Sequence, residues 1–143
     1  MRARGRLVAA ALLAALPAAA SAATVEVEVD GAEAGAGPVF VALCQGGLNG
    51  SACGEGDSVQ ARGGEARVSF RDVAPGVYAV AAFQDTNGNR QLDRTPLGLP
   101  LEPYGFSGDV GRRARPDFRS AAFSLSEPGA LVRVRLARAL PRR

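Results

Sequence analysis

Thr24-Val25-Glu26-Val27-Glu28-Val29-Asp30 decides the fold class. Val25, Val27 and Val29 fall on one side of an extended chain, and Glu26, Glu28 and Asp30 fall on the other. A period of two is the pattern of a half-buried β-strand, because successive side chains of a strand point to opposite faces. Downstream, Gly31–Gly37 is a Gly/Ala connection and Pro38–Cys44 (PVFVALC) is continuously apolar, as a strand in the middle of a sandwich would be. A polar, Gly-rich loop is expected as far as Ser58, then a short strand Val59–Arg62 turning at Gly63-Gly64. Ala66–Phe70 alternates again, Asp72-Val73-Ala74-Pro75-Gly76 has turn chemistry, and Val77–Phe83 (VYAVAAF) is the most apolar strand.

Residues 84–119 read as one long irregular excursion rich in Gly and Pro, a length that usually signals function. Ala121–Ser126 and Ala130–Ala137 are expected to close the sheets, with Val132, Val134 and Leu136 inward and Arg133, Arg135 and Arg138 toward water. Leu140–Arg143 reads as a frayed tail. No segment beyond residue 22 has helical periodicity. The pattern predicts an all-β domain: a small antiparallel two-sheet β-sandwich of about seven strands with one long loop excursion.

Upstream of the deciding strand, Met1–Ala22 has the three regions of a secretory signal peptide: Arg2, Arg4 and Arg6, then apolar Leu7–Ala20, then small residues in Ala20-Ser21-Ala22. No later segment approaches the roughly 20 apolar residues of a membrane helix, so an integral membrane protein is not expected. Removing residues 1–22 from the 143 leaves 121, a single domain over residues 23–143. The chain carries 17 basic and 14 acidic residues, every basic one an Arg, and three of the arginines lie in the leader. The remaining 14 of each sign cancel, which removes the argument for nucleic-acid binding.

Histidine is absent. Ser-His and Cys-His nucleophile activation and His-ligated zinc go with it, so the chain is expected not to be an enzyme. Cys44 and Cys53 are the only cysteines, and in an exported chain they are expected to form a structural disulfide. Asn49-Gly50-Ser51 between them reads as a loop tip, and Arg112-Arg113-Ala114-Arg115 as a solvated basic loop.

The segment with chemistry is Asp85-Thr86-Asn87-Gly88-Asn89-Arg90-Gln91-Leu92-Asp93. Oxygen-bearing side chains stand at positions one, three, five and nine, the spacing of a calcium loop. Calcium takes six to eight oxygens at about 2.3–2.6 Å, and a tight turn can aim alternate side chains at one centre. The candidate metal ligands are Asp85, Asn87, Asn89, the Gln91 carbonyl, Asp93 and Glu102, the last folding back from Gly98-Leu99-Pro100-Leu101-Glu102. Arg90 stands at the sixth position, where Gly is usual, and Pro96 at the twelfth, where a bidentate Glu is usual. A site so composed would bind calcium weakly, at about 10⁻⁴–10⁻³ M. The alternative is a polar turn whose side chains bond to their own backbone. Tyr104 and Phe106 read as a satellite core beneath the loop, with a ligand platform as the other possibility.

Several segments now stand in a specific order between Phe70 and Leu125: the Asp72–Gly76 turn with strand Val77–Val80, the Asp/Asn loop, Gly98–Glu102, Tyr104-Gly105-Phe106-Ser107, Pro116-Asp117-Phe118 and Ala122-Phe123. In order and combination they resemble the bacterial secreted family called domain of unknown function 2141. The resemblance implies a prealbumin-like or immunoglobulin-like sandwich in the bacterial envelope, with no established biochemical activity. The chain differs from that family's usual pattern at Gln84 (commonly His), Arg90 (commonly Gly) and Pro103 (often Gly), all around the candidate loop.

Three functions follow as expectations. One is a non-enzymatic secreted or periplasmic module whose calcium-organised loop faces an envelope protein or glycan. Another is a structural accessory domain with no ligand. The third, a glycan-active enzyme, would draw an acid and a base from Asp85, Asp93 and Glu102.

Overall fold

The computed structural model describes residue 19, residues 21–110 and residues 115–141. Most of the expected leader and the Arg112-Arg113-Ala114 part of the basic run lie outside the described residues. The strands are β1 (Ala23–Asp30), β2 (Pro38–Cys44), β3 (Cys53–Gln60), β4 (Ala66–Val73), β5 (Gly76–Gln84), β6 (Tyr104–Phe106), β7 (Phe123–Leu125) and β8 (Gly129–Arg135), with a 3-10 turn (Ser107–Asp109) after β6 and an α-helical turn, α1 (Phe118–Ala121), before β7. They form a three-stranded sheet, β4-β1-β8, and a five-stranded sheet, β3-β2-β5-β6 with β7 on the first residues of β5. The chain is a small β-sandwich.

β1 behaves as its alternation predicts. Val25, Val27 and Val29 are 0–1% exposed and lie opposite Phe70, Val68 and Ala66 of β4 and opposite Ala130, Val132 and Val134 of β8. They pack on Val39, Val41, Leu43, Val80 and Ala82 of the other sheet. Burial of each valine stabilises the domain by about 1.5–3 kcal/mol. On the solvent side of the same strands, Glu28 meets Arg67 at 3.3 Å and Arg133 at 3.2 Å, and Asp30 meets Arg135 at 3.2 Å.

One pairing departs from an antiparallel sandwich. β8 lies parallel to β1, from Thr24 opposite Gly129 to Asp30 opposite Arg135. The two strands come from opposite ends of the domain, so no tight hairpin constrains their direction.

β3 also differs from its sequence expectation. The polar run as far as Ser58, read as loop, is strand from Cys53 and continues into the expected strand at Val59-Gln60, paired with β2 through one register shift between Leu43 and Cys44. As an edge strand it buries little and shows no apolar alternation, and its ladder with β2 and the Cys44–Cys53 disulfide hold it instead. The Gly63-Gly64 turn is as expected, both glycines having positive φ (62° and 85°) between bridged Arg62 and Glu65.

Arg138 does not face water. Its guanidinium reaches both carboxylate oxygens of Glu33, at 2.6 and 2.9 Å, and the Leu101 carbonyl at 2.8 Å. The hydrogen bond to Glu33 holds its pKa above the ordinary arginine value. Before α1, Asp117 accepts from the Ser120 hydroxyl and N–H, which lowers its carboxyl pKa and caps the turn.

Candidate functional site

β5 delivers the loop. Gln84, its last residue, is fully buried, and its side-chain amide donates to the carbonyls of Glu33 and Gly37 (2.9 and 3.0 Å) and accepts from the Glu33 N–H (2.7 Å). The next residue ties the loop to β2, since the Asp85 N–H donates to the Pro38 carbonyl at 2.9 Å. The loop thus leaves the sandwich from a fixed point.

Two buried carboxylates, Asp85 and Glu102, each 2% exposed, close it. Asp85 accepts from the N–H groups of Gly88 (2.9 Å) and Arg90 (2.8 Å), one on each oxygen. Glu102 accepts from the Thr86 N–H at 2.9 Å with one oxygen and from the Asp93 N–H at 3.2 Å with the other. All four oxygens are therefore occupied by loop backbone. Bonds from N–H to an ionised carboxylate are about twice as strong as neutral ones.

Asn87 and Asn89 continue the pattern. Their carbonyl oxygens accept from the N–H groups of Asn89 (3.2 Å) and Gln91 (3.0 Å), while their amide nitrogens both donate to one oxygen of Asp93. Arg90 takes the left-handed conformation, φ 62°, at the turn position where Gly is usual.

The structure brings the side chains of five of the six predicted ligand residues into one hydrogen-bonded knot, with Glu102 folded back onto loop N–H groups. Gln91 takes part only through its backbone N–H, donated to the Asn89 side chain, and its carbonyl is not part of the knot's bonds. Among the described residues no group of three or more His, Cys, Asp or Glu side chains has metal-binding proximity. A calcium ion here would have to share Asp85 and Glu102 with backbone donors and displace the two amides from Asp93.

The rest of the excursion is more regular than its composition suggests. Arg94 bridges Pro100, with Thr95 N–H to Leu99 carbonyl and Gly98 N–H to Thr95 carbonyl bonds (both 2.8 Å), forming a small hairpin. Leu97 at its tip is 88% exposed, with Leu99 and Leu101 exposed beside it. Beyond it, β6 pairs with β5. Phe106 is buried with Cys44, Ala79 and Ala121, and Tyr104 packs against that cluster. Both therefore belong to a second, smaller core on the outer side of the five-stranded sheet.

Beside this core the outer face opens into a cleft of about 460 Å³. Phe40 and Phe83 stack in it at 5.2 Å and 11°, and the Arg90 guanidinium lies 6.0 Å from the Phe40 ring centre. Leu48, Leu92 and Arg94 also line it. Sequence reasoning passed over Phe40, Phe83 and Leu92. A signal was present: β2 and β5 are apolar at both parities, so one apolar face of each strand points away from the sandwich core.

The family model for "uncharacterized protein conserved in bacteria", domain of unknown function 2141, matches residues 27–132. The chain belongs to this family. The match extends past Phe70–Leu125 on both sides, so it takes in the second half of β1, all of β2 and β3 and the Cys44–Cys53 disulfide. No curated protein and no solved structure matches the chain.

Proposed function

We propose that the protein is an exported, non-enzymatic module of the bacterial envelope whose loop, residues 85–102, is closed by its own side chains and held out as a partner-facing surface. The carrying observation is the use of all four oxygens of Asp85 and Glu102 on loop N–H groups. A loop closed in this way loses little entropy on meeting a partner, and it exposes Leu97, Leu99 and Leu101. The same bonds argue against acid–base chemistry, because a general acid or base must reach a substrate atom and these carboxylates face backbone.

Calcium is the second reading. In its favour, Asp85, Asn87 and Asn89 each accept N–H groups two to five residues ahead, and Arg90 adopts the turn that a calcium loop needs at position six. A thermal melt of the oxidised protein in millimolar calcium, in magnesium and in chelator separates the two. Self-closure predicts one melting temperature throughout. An ion-organised loop predicts a calcium-specific rise of several degrees, since 100 times the dissociation constant stabilises by about 2.7 kcal/mol. Such a rise would overturn self-closure.

A further inference from the structure

We propose that the outer cleft of the five-stranded sheet binds a small aromatic carboxylate, its ring in the trough and its charge on Arg90 and Arg94. The registers of β3, β2, β5 and β6 lay three rows across this face. Ser58, Phe40, Phe83 and Tyr104 form the first, Gly56, Ala42, Ala81 and Phe106 the second, and Cys53, Cys44 and Ala79 the third. Residues two apart on a strand stand roughly 7 Å apart. In the middle row, three of the four residues carry no more than a methyl group. It is therefore a trough between an aromatic wall and a wall made by the disulfide and Leu48, closed at one end by Phe106.

Three properties select the ligand. The volume, about 460 Å³, lies in the range of small-molecule sites, about 300–1,000 Å³. The lining is mostly apolar, with Phe40 and Phe83 on one side and Leu48 and the disulfide on the other, suited to a ring. The charge is positive: among the described residues neither Arg90 nor Arg94 makes an ion pair with a carboxylate. Asp57 also lines the cleft, but it is paired with Val41, so its side chain belongs to the opposite face. Arginine's planar fork matches a carboxylate, and the Arg90 guanidinium also stands within cation–π reach of the Phe40 ring, 6.0 Å from its centre. The backbone of Arg90, left-handed and bonded through its N–H to Asp85, carries this guanidinium at the cleft beside Phe40. Strained backbone is retained where the surroundings over-determine it, commonly at ligand sites.

The inference rests on the self-closed loop for the position of Arg90. The test is a titration of the oxidised protein with naphthoate and with neutral naphthylmethanol, followed by backbone amide NMR. Saturable naphthoate binding is expected, with shifts confined to β2, β3, β5, β6, the residues around Leu48 and residues 90–94, and naphthylmethanol weaker by about tenfold or more. Arg90→Gln should narrow that preference and leave the melting curve unchanged, and Arg90→Gln combined with Arg94→Gln should remove it. Ala42→Leu, which fills the trough, should abolish binding of both compounds. Equal affinity for the two compounds in the parent protein, shifts elsewhere, or a cleft covered by self-association would overturn the proposal. An altered melt in calcium with the carboxylate preference intact would count against loop self-closure and leave the binding site standing.

Discussion

Gln84 has no exposed surface, and its amide holds the turn between β1 and β2 through three hydrogen bonds. Gln84→Ala leaves the Glu33 N–H and the Glu33 and Gly37 carbonyls without that partner. It is expected to cost about 1–3 kcal/mol in urea unfolding. An unchanged midpoint would show that water replaces the amide. In the sequence, Gln84 stood out only as a departure from the family's usual histidine. Its partners are about fifty residues earlier, so no local pattern reveals the role. Glu102 was more legible, as the nearest carboxylate able to complete the loop. The surprise lies in its partners, which are N–H groups.

Strands with a buried face were readable because a period of two writes itself into the residues, as in β1. β3 was not, since an edge strand needs only a neighbour's ladder. β6 is three residues long and depends on a close approach: the Tyr104 N–H and carbonyl both bond to Ala137, and a Cβ on Gly105 would lie 2.3 Å from the Arg135 carbonyl oxygen. That oxygen is backbone and cannot swing aside. Gly105→Ala is therefore expected to push β6 from the end of β8 and to cost about 1–3 kcal/mol. Urea unfolding measures the cost, and near-ultraviolet circular dichroism reports the displaced Tyr104. A variant matching the parent in both would refute the close approach.

Across the whole molecule the two sheets present unlike outer faces. One carries the exposed Glu28, Asp30, Arg67, Arg133 and Arg135 ion pairs, each worth about 0–1 kcal/mol because water screens them. The other carries a second core and the aromatic cleft, edged by the Cys44–Cys53 disulfide. The bridge joins residues nine apart. Closing so short a loop stabilises by about 2–3 kcal/mol in the chain-entropy model. Reduction is expected to lower stability by that amount, read from urea unfolding with and without reductant. An unchanged midpoint would mean that the β2–β3 ladder alone holds the edge.

Alternation, turn residues and cysteine spacing by themselves determined a sandwich of short strands, its core valines, the bridge and the place of the polar loop. These are local properties, carried by residues a few positions apart. Only the tertiary structure decided that β8 runs parallel to β1, that Arg138 turns to Glu33, and that the loop carboxylates meet backbone donors. It also decided that Phe40, Phe83 and Arg90, up to fifty positions apart, share one face. Each of these depends on which strands become neighbours, and strand order is set by the packing of the whole core.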